Sequence, residues 1–307
     1  MFRIILLLFL STQLFSQNIP SQYKLPIVYI EIPDNYGQYK PNGTGFVVRI
    51  PLNMHRGWEY LVTAKHVIVD SYTKKVYDTI LLRLNLKNGS FTEGFIALNQ
   101  NAPNKNVFFS NDPSVDLAVI PISLLDTVFD IKFIPVSNLF RSRRDFDTSY
   151  VREGTNVFYT GLFSPYLGYK KNEPIVRFGK VCLITDEKIV WDSAKSEISD
   201  LFLVETTTFG GNSGSPMFSY PFPLPTSDTS IHRDSSKDSV DFIGIVKGYY
   251  GEKTALDYDK VNTSIMIPKY TSNVGITGVI PSYLLYEILY LPELEQARQT
   301  EKRKINQ

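Results

Sequence analysis

Gly210-Gly211-Asn212-Ser213-Gly214-Ser215-Pro216 is the stretch on which the reading of this chain turns. Its glycines and small polar residues let the backbone turn tightly around Ser213, because glycine takes conformations that a Cβ resists. A serine hydroxyl is a poor nucleophile at neutral pH and needs a base beside it. It also needs amide donors aimed at the oxygen that becomes negative in acyl transfer. The N–H groups of Gly211 and Ser213 are candidates for those donors. A plain turn between strands has the same composition, so the stretch decides little until partners are found elsewhere in the chain.

Two upstream segments supply them. Tyr60-Leu61-Val62-Thr63-Ala64-Lys65-His66-Val67-Ile68 is an apolar strand that ends on Thr-Ala-x-His. Ser114-Val115-Asp116-Leu117-Ala118-Val119-Ile120 sets an aspartate just before another apolar strand. Of the three histidines, His55 sits in a polar turn and His232 in a Ser/Asp-rich stretch, so only His66 follows a strand that reads as core. Alone, His66 reads equally as a strand-end histidine and Asp116 as a turn aspartate. Together they give the order His, Asp, Ser, the three residue types of a nucleophile, its base and the group that orients the base.

On these residues the chain resembles the trypsin-like (chymotrypsin-fold) serine peptidases, in particular bacterial ones without disulfides. Thr63-Ala64-Lys65-His66 resembles the family's Thr-Ala-x-His motif, Asp116-Leu117-Ala118 its Asp-Leu-Ala motif, and Gly211-Asn212-Ser213-Gly214-Ser215-Pro216 its nucleophile motif. Gly43-Thr44-Gly45-Phe46-Val47-Val48 matches the strand before the histidine strand, and the likeness runs over roughly residues 25–290. The resemblance implies an exported serine endopeptidase with His66, Asp116 and Ser213 catalytic and the amides of Gly211 and Ser213 as oxyanion hole. It also implies Thr207 near the base of the primary pocket and Lys247 on the strand that flanks it, both as substrate-binding residues. Asn212 stands where zymogen-type relatives carry an Asp that pairs with a newly cut N-terminal amine, so activation by such a cut is not expected. The alternative is a peptidase fold that has lost activity and serves as a binding module.

Composition narrows the class. The formal net charge of +1 implies no attraction to nucleic acid or to a charged membrane surface. A hydrophobic content of 43 % is enough for a large core. Arg3 followed by the apolar run Ile4–Leu10 and a polar exit to Ser16 reads as a signal peptide over 1–16, too short to span a bilayer. The expected location is the periplasm or the outside of the cell, with no membrane anchor after cleavage and a protein or peptide as partner. Cys182 is the only cysteine, read as a core residue, so no internal disulfide can form. No cluster has metal-ligand spacing, and no cofactor is expected.

Short runs rich in Val, Ile, Tyr and Phe alternate with turns along most of the chain, and helical spacing emerges only at Pro281–Leu289. The expected fold is all-β: two six-stranded Greek-key β-barrels and a C-terminal helix. The first barrel would span 23–136 and carry His66 and Asp116. A linker would follow over 137–153, centred on the charged run Arg141–Asp147. The second barrel with the helix would span 154–290 and carry Ser213, leaving a charged, solvated tail over 291–307. The Pro-, Ser- and Asp-rich segment 221–239 reads as a surface loop close to the cleft.

Overall fold

In the computed structural model the described residues are 19–53, 56–192, 197–220, 240–255 and 269–305. The signal segment, His55, His232 and the loop 221–239 lie outside them.

The first half builds β1 (Ile27–Pro33), β2 (Tyr39–Pro51), β3 (Gly57–Ala64), β4 (Thr79–Asn85), β5 (Phe91–Ala97), β6 (Phe108–Phe109), β7 (Leu117–Ile122) and β8 (Ile134–Pro135). They form one sheet in the order β5-β4-β1-β2-β3-β7-β6, with β8 added beside β2. After a short helix α1 (Arg143–Thr148), the second half builds β9 (Asn156–Gly161), β10 (Ile175–Leu183), β11 (Ile189–Asp192), β12 (Glu197–Ser199), β13 (Phe202–Glu205), β14 (Pro216–Ser219), β15 (Asp241–Ala255) and β16 (Lys269–Pro281). Six of these close a barrel, β10-β13-β16-β15-β14-β9, while β11 and β12 form a separate hairpin. Helices α2 (Ser282–Leu289) and α3 (Pro292–Ile305) end the chain.

The two halves share one connectivity. β1–β2, β2–β3, β3–β7, β1–β4 and β4–β5 in the first half correspond to β9–β10, β10–β13, β13–β16, β9–β14 and β14–β15 in the second. The second half adds β15–β16, which closes its barrel; the first half has no β5–β7 ladder among the described residues. The all-β, chymotrypsin-like architecture is therefore present. The first half is an eight-stranded sheet, six long strands plus the two-residue β6 and β8, rather than a barrel of six alone.

Strand periodicity explains why these segments are so continuously apolar. Successive side chains point to opposite faces. On β1, β2, β3 and β7, Val28, Ile30, Val47, Leu61, Ala118 and Ile120 fill the core of the first half. Their neighbours Tyr29, Phe46, Val48, Tyr60, Val62, Leu117 and Val119 join a larger core that continues into the second half. A strand buried on both faces has no polar register. Across the seam, Phe46 meets Phe242 edge-on and Tyr23 meets Phe158 and Phe218. Arg83 on β4 adds a polar clasp, donating to the carbonyl of Gly168 at 2.6 Å, while Asn172 Nδ2 donates back to the Arg83 carbonyl at 2.7 Å.

Four expectations need correction. The charged run Arg141–Asp147 is not a bare linker: Ser142 caps α1 by accepting from the Asp145 amide, and Phe146 is buried against Phe140 and Phe202. The tail is not solvated throughout. It forms α3, whose Leu294 and Arg298, one turn apart, are both buried. Arg298 donates to Tyr60 Oη at 2.8 Å and Glu301 accepts from Trp58 Nε1 at 2.7 Å, so the last helix clamps onto β3. Cys182 is exposed, not core, because Val181 takes the inward position and the next residue on a strand faces out. Finally, β11, β12 and β14 were not anticipated as strands. The first two are four and three residues long, and β14 follows the glycine-rich loop without a break.

Docking of α3 can be tested at Leu294. Leu294→Ala should lower stability by about 2–4 kcal/mol, as for other buried leucines, read from the urea midpoint. A helix free in solvent would lose almost nothing.

Candidate functional site

The pairing of β3 with β7 sets the first two residues side by side. Ala64 lies opposite Leu117 at the end of the ladder, so the residues just past β3 face the residue just before β7. The chain leaves β3 through a 3-10 turn, Lys65–Val67, whose Lys65 amide donates to the Asp116 carbonyl at 3.0 Å. Asp116 Oδ1 then accepts from the backbone N–H of His66 at 2.9 Å, and Oδ2 meets His66 Nδ1 at 2.6 Å. Both carboxylate oxygens thus hold His66, one at its backbone and one at its ring, and with Nδ1 engaged the ring's other nitrogen is Nε2. The His66 side chain is 48 % exposed, open to a substrate.

Ser213 arrives from the other half. Its loop is held to β15 by Gly214 N–H to the Val246 carbonyl (2.8 Å) and Val246 N–H to the Ser215 carbonyl (2.9 Å). It is held to the first half by Thr44. β2 extends beyond its last pairing with β3, Phe46 opposite Val62, which frees the Thr44 amide to donate to the Ser213 carbonyl at 2.9 Å. Thr44 Oγ1 donates to the Gly211 carbonyl (2.7 Å) and accepts from the Leu162 amide (2.8 Å), while the Thr44 carbonyl accepts from Thr63 Oγ1 (2.8 Å). Gly214 is required at this crossing. Its φ is +86°, and a Cβ would lie 2.0 Å from the Thr44 carbonyl oxygen.

Asn212 is fully buried and fully used. Its Nδ2 donates to the Leu162 carbonyl (2.6 Å), and its Oδ1 accepts from the Phe209 amide (2.8 Å) and Tyr159 Oη (3.1 Å). These bonds, with Gly211 at φ +94°, set the bend of the loop. Neither the Gly211 nor the Ser213 amide donates to a protein acceptor among the described residues. The Ser213 hydroxyl donates to the Lys247 carbonyl at 2.8 Å rather than to His66.

The two expected substrate-binding residues lie differently. Thr207 is exposed, and its carbonyl accepts from Tyr159 Oη at 2.8 Å. The Lys247 side chain turns into the seam between the halves. Its ammonium is buried and bonds to Asp116 Oδ2 and Glu197 Oε1, both at 2.8 Å. Lys247 lies on β15 at the seam, where the carboxylates of Asp116 and Glu197 offer its charge more than the open cleft would. Glu197, on the β11–β12 hairpin, was not legible as part of the site, since it follows a polar run with no periodicity. Thr44 was legible only as part of a strand motif.

The electrostatics follow from this geometry. Burial pushes the Asp116 carboxyl up, but the charges and hydrogen bonds of His66 and Lys247 overcome it and hold it below the usual carboxylate range. Burial pushes the Lys247 ammonium down, and Asp116 and Glu197 reverse that, leaving it raised. A depressed acid and a raised base remain an ion pair throughout the window between their ordinary values of about 3.9 and 10.4. Their contribution to stability is lost only as pH falls through the lowered Asp116 value or climbs through the raised Lys247 value. Among the described residues no cluster of three His, Cys, Asp or Glu side chains is arranged to hold a metal ion.

Two variants test how the loop is held. Thr44→Val keeps shape and amide but leaves the Gly211 carbonyl and Leu162 amide without their hydroxyl partner, for an expected loss of about 2–4 kcal/mol in denaturant titration. Asn212→Asp sets a carboxylate oxygen against the Leu162 carbonyl and should cost at least about 2 kcal/mol. Wild-type stability in both would mean that the loop is ordered by other contacts.

Comparison with known proteins agrees with this arrangement. No protein with a curated description matches the sequence. Among solved structures, the chain is similar to a thermostable serine protease, AL20, from an extremophilic microorganism, at 11 % identity and a TM-score of 0.46, over 87 % of this chain and 99 % of that one. So loose a superposition carries no residue-level inference. The family described as "Trypsin-like peptidase domain" matches residues 43–220, a span that holds His66, Asp116 and Ser213 and more than half of the chain. With two halves of one connectivity meeting at these residues, the chain belongs to the trypsin-like peptidase family, the serine endopeptidases of this fold.

Proposed function

We propose that the protein cleaves peptide bonds through a Ser213–His66–Asp116 triad and an acyl-enzyme intermediate. The observation that carries this reading is the two-point grip of Asp116 on His66, set beside a Ser213 loop with two unengaged amides. Rotation about the Cα–Cβ bond takes the Ser213 hydroxyl from the Lys247 carbonyl to His66 Nε2. Such hydrogen bonds commonly tighten only when substrate is bound. Ser213 Oγ then attacks the scissile carbonyl carbon while His66 takes the hydroxyl proton. The carbonyl oxygen becomes an oxyanion facing the amides of Gly211 and Ser213. The C–N bond breaks, and His66 gives its proton to the leaving amine. Water, deprotonated by His66, repeats the sequence on the ester and frees the acid. Asp116 keeps the imidazole in the tautomer with its proton on Nδ1 and stabilises the imidazolium formed at each step.

The substrate is a protein or peptide, bound between the halves. Activity requires no new N-terminal amine, because Asn212 is satisfied by Leu162, Phe209 and Tyr159 and has no carboxylate to recruit an ammonium group. Arg3 and the apolar run after it support export.

A fluorophosphonate probe should label the folded protein at Ser213, with labelling that rises with pH as the imidazole becomes neutral. Ser213→Ala should lose the label and at least about 1,000-fold of casein or peptide hydrolysis. A well-folded wild-type protein that takes no label would overturn the proposal and leave a peptide-binding module on the same fold.

A further inference from the structure

The Asp116 carboxylate serves two partners on one oxygen. Oδ2 meets His66 Nδ1 at 2.6 Å and Lys247 Nζ at 2.8 Å. The Lys247 side chain is only 6 % exposed, so its charge is poorly screened. Its other partner, Glu197, is 40 % exposed at the rim. The ammonium bonds to Asp116, at the start of β7, and to Glu197 of β12, and Asp116 in turn holds His66 from the 3-10 turn. The Trp191 ring of β11 lies 5.6 Å from it, and Asp192 is paired opposite Glu197 in the same hairpin. Among the described residues no further ionisable side chain bonds to Lys247. The residue also touches the third candidate catalytic group, through the backbone carbonyl that accepts from Ser213 Oγ.

We infer that Lys247 is a positioning residue for the His66–Asp116 pair, and that Glu197 sets how strongly it acts. The inference rests on the triad proposed above. Lys247 pins the carboxylate in the orientation that grips His66. It also offsets part of the negative charge that Asp116 presents to the imidazolium. A lone buried carboxylate would hold the proton on His66 and raise the pH at which the ring becomes a base. A cation on the same oxygen opposes that protonation, so His66 is neutral, and usable as a base, at lower pH. Glu197 partly neutralises the ammonium and limits the effect. The arrangement separates two roles of the aspartate: orientation is kept in full while its pull on the histidine proton is reduced.

The test follows the His66 ring directly, by NMR of protein labelled with carbon-13 at histidine Cε1, with the resonance assigned by its loss in His66→Gln. Lys247→Met should move the His66 titration up by about one pH unit, since the carboxylate then faces the imidazolium alone. Glu197→Gln should move it down, by roughly half a unit, since the amide oxygen still accepts from Lys247 but no longer offsets its charge. Lys247→Arg should return it close to the wild-type value. The acid limb of kcat/KM should shift in the same order.

A merely structural lysine would lower stability or rate without moving the two titrations in opposite directions. Titrations that coincide in wild type, Lys247→Met and Glu197→Gln overturn the inference. Should Lys247→Met not fold, Glu197→Gln and Lys247→Arg decide it, because neither removes the buried cation. Fluorophosphonate labelling of Ser213 separates the two readings. Labelling with unmoved titrations rejects the role of Lys247 and keeps the peptidase chemistry; moved titrations without labelling reject the chemistry and keep the electrostatic coupling.

Discussion

The site depends on Thr44. One residue in the middle of β2 gives its amide to Ser213, its hydroxyl to Gly211, and accepts from Leu162 and Thr63. Two of these partners belong to the Ser213 loop, one follows β9 directly and one lies on β3. Much of the seam between the halves is apolar and non-directional, built around Phe46, Phe242, Phe158 and Phe218, with polar ties such as Arg83 to the Gly168 carbonyl away from the Ser213 loop. Apolar contact brings two surfaces together without fixing their register to a fraction of an ångström. Buried hydrogen bonds do fix it, because each has a narrow range of length and angle and is costly to leave unmade. The aromatic seam therefore supplies adhesion and Thr44 supplies alignment.

A second constraint is charge. Asp116 is surrounded by the protein, and a carboxylate in such a place must be paired. It is paired twice, and the pairs differ in kind. His66 is half exposed and can gain or lose a proton; Lys247 is enclosed and keeps its own. With Lys247 beside it, the carboxylate keeps a charged partner whichever state the imidazole is in.

Much of this was legible in the sequence, for physical reasons. β1, β2, β3 and β7 are buried on both faces, so their apolar runs stand out, and the Thr-Ala-x-His and Asp-Leu-Ala motifs sit at their ends. Gly211 and Gly214 occupy positive-φ positions that the composition of the loop already suggested. What escaped reading was set by contacts distant in sequence. The direction of the Lys247 side chain depends on Asp116 and on Glu197, which lies on a hairpin too short to carry periodicity. The outward turn of Cys182 depends on strand register. The docking of α3 depends on Leu294 and Arg298, which in a charged segment look like two residues of a solvated face. Local pattern reports whether a segment buries something, and tertiary partners decide what.

The placement of α3 has a consequence for how the molecule comes into being. Residues leave the ribosome in order, so the sheet holding His66 and Asp116 is complete long before Ser213 is made. Tyr60 and Trp58 of β3 are bonded by Arg298 and Glu301 of α3. The bonds of Arg298 to Tyr60 and of Glu301 to Trp58 bridge 238 and 243 residues of sequence, so β3 gains this brace only after both halves have been made.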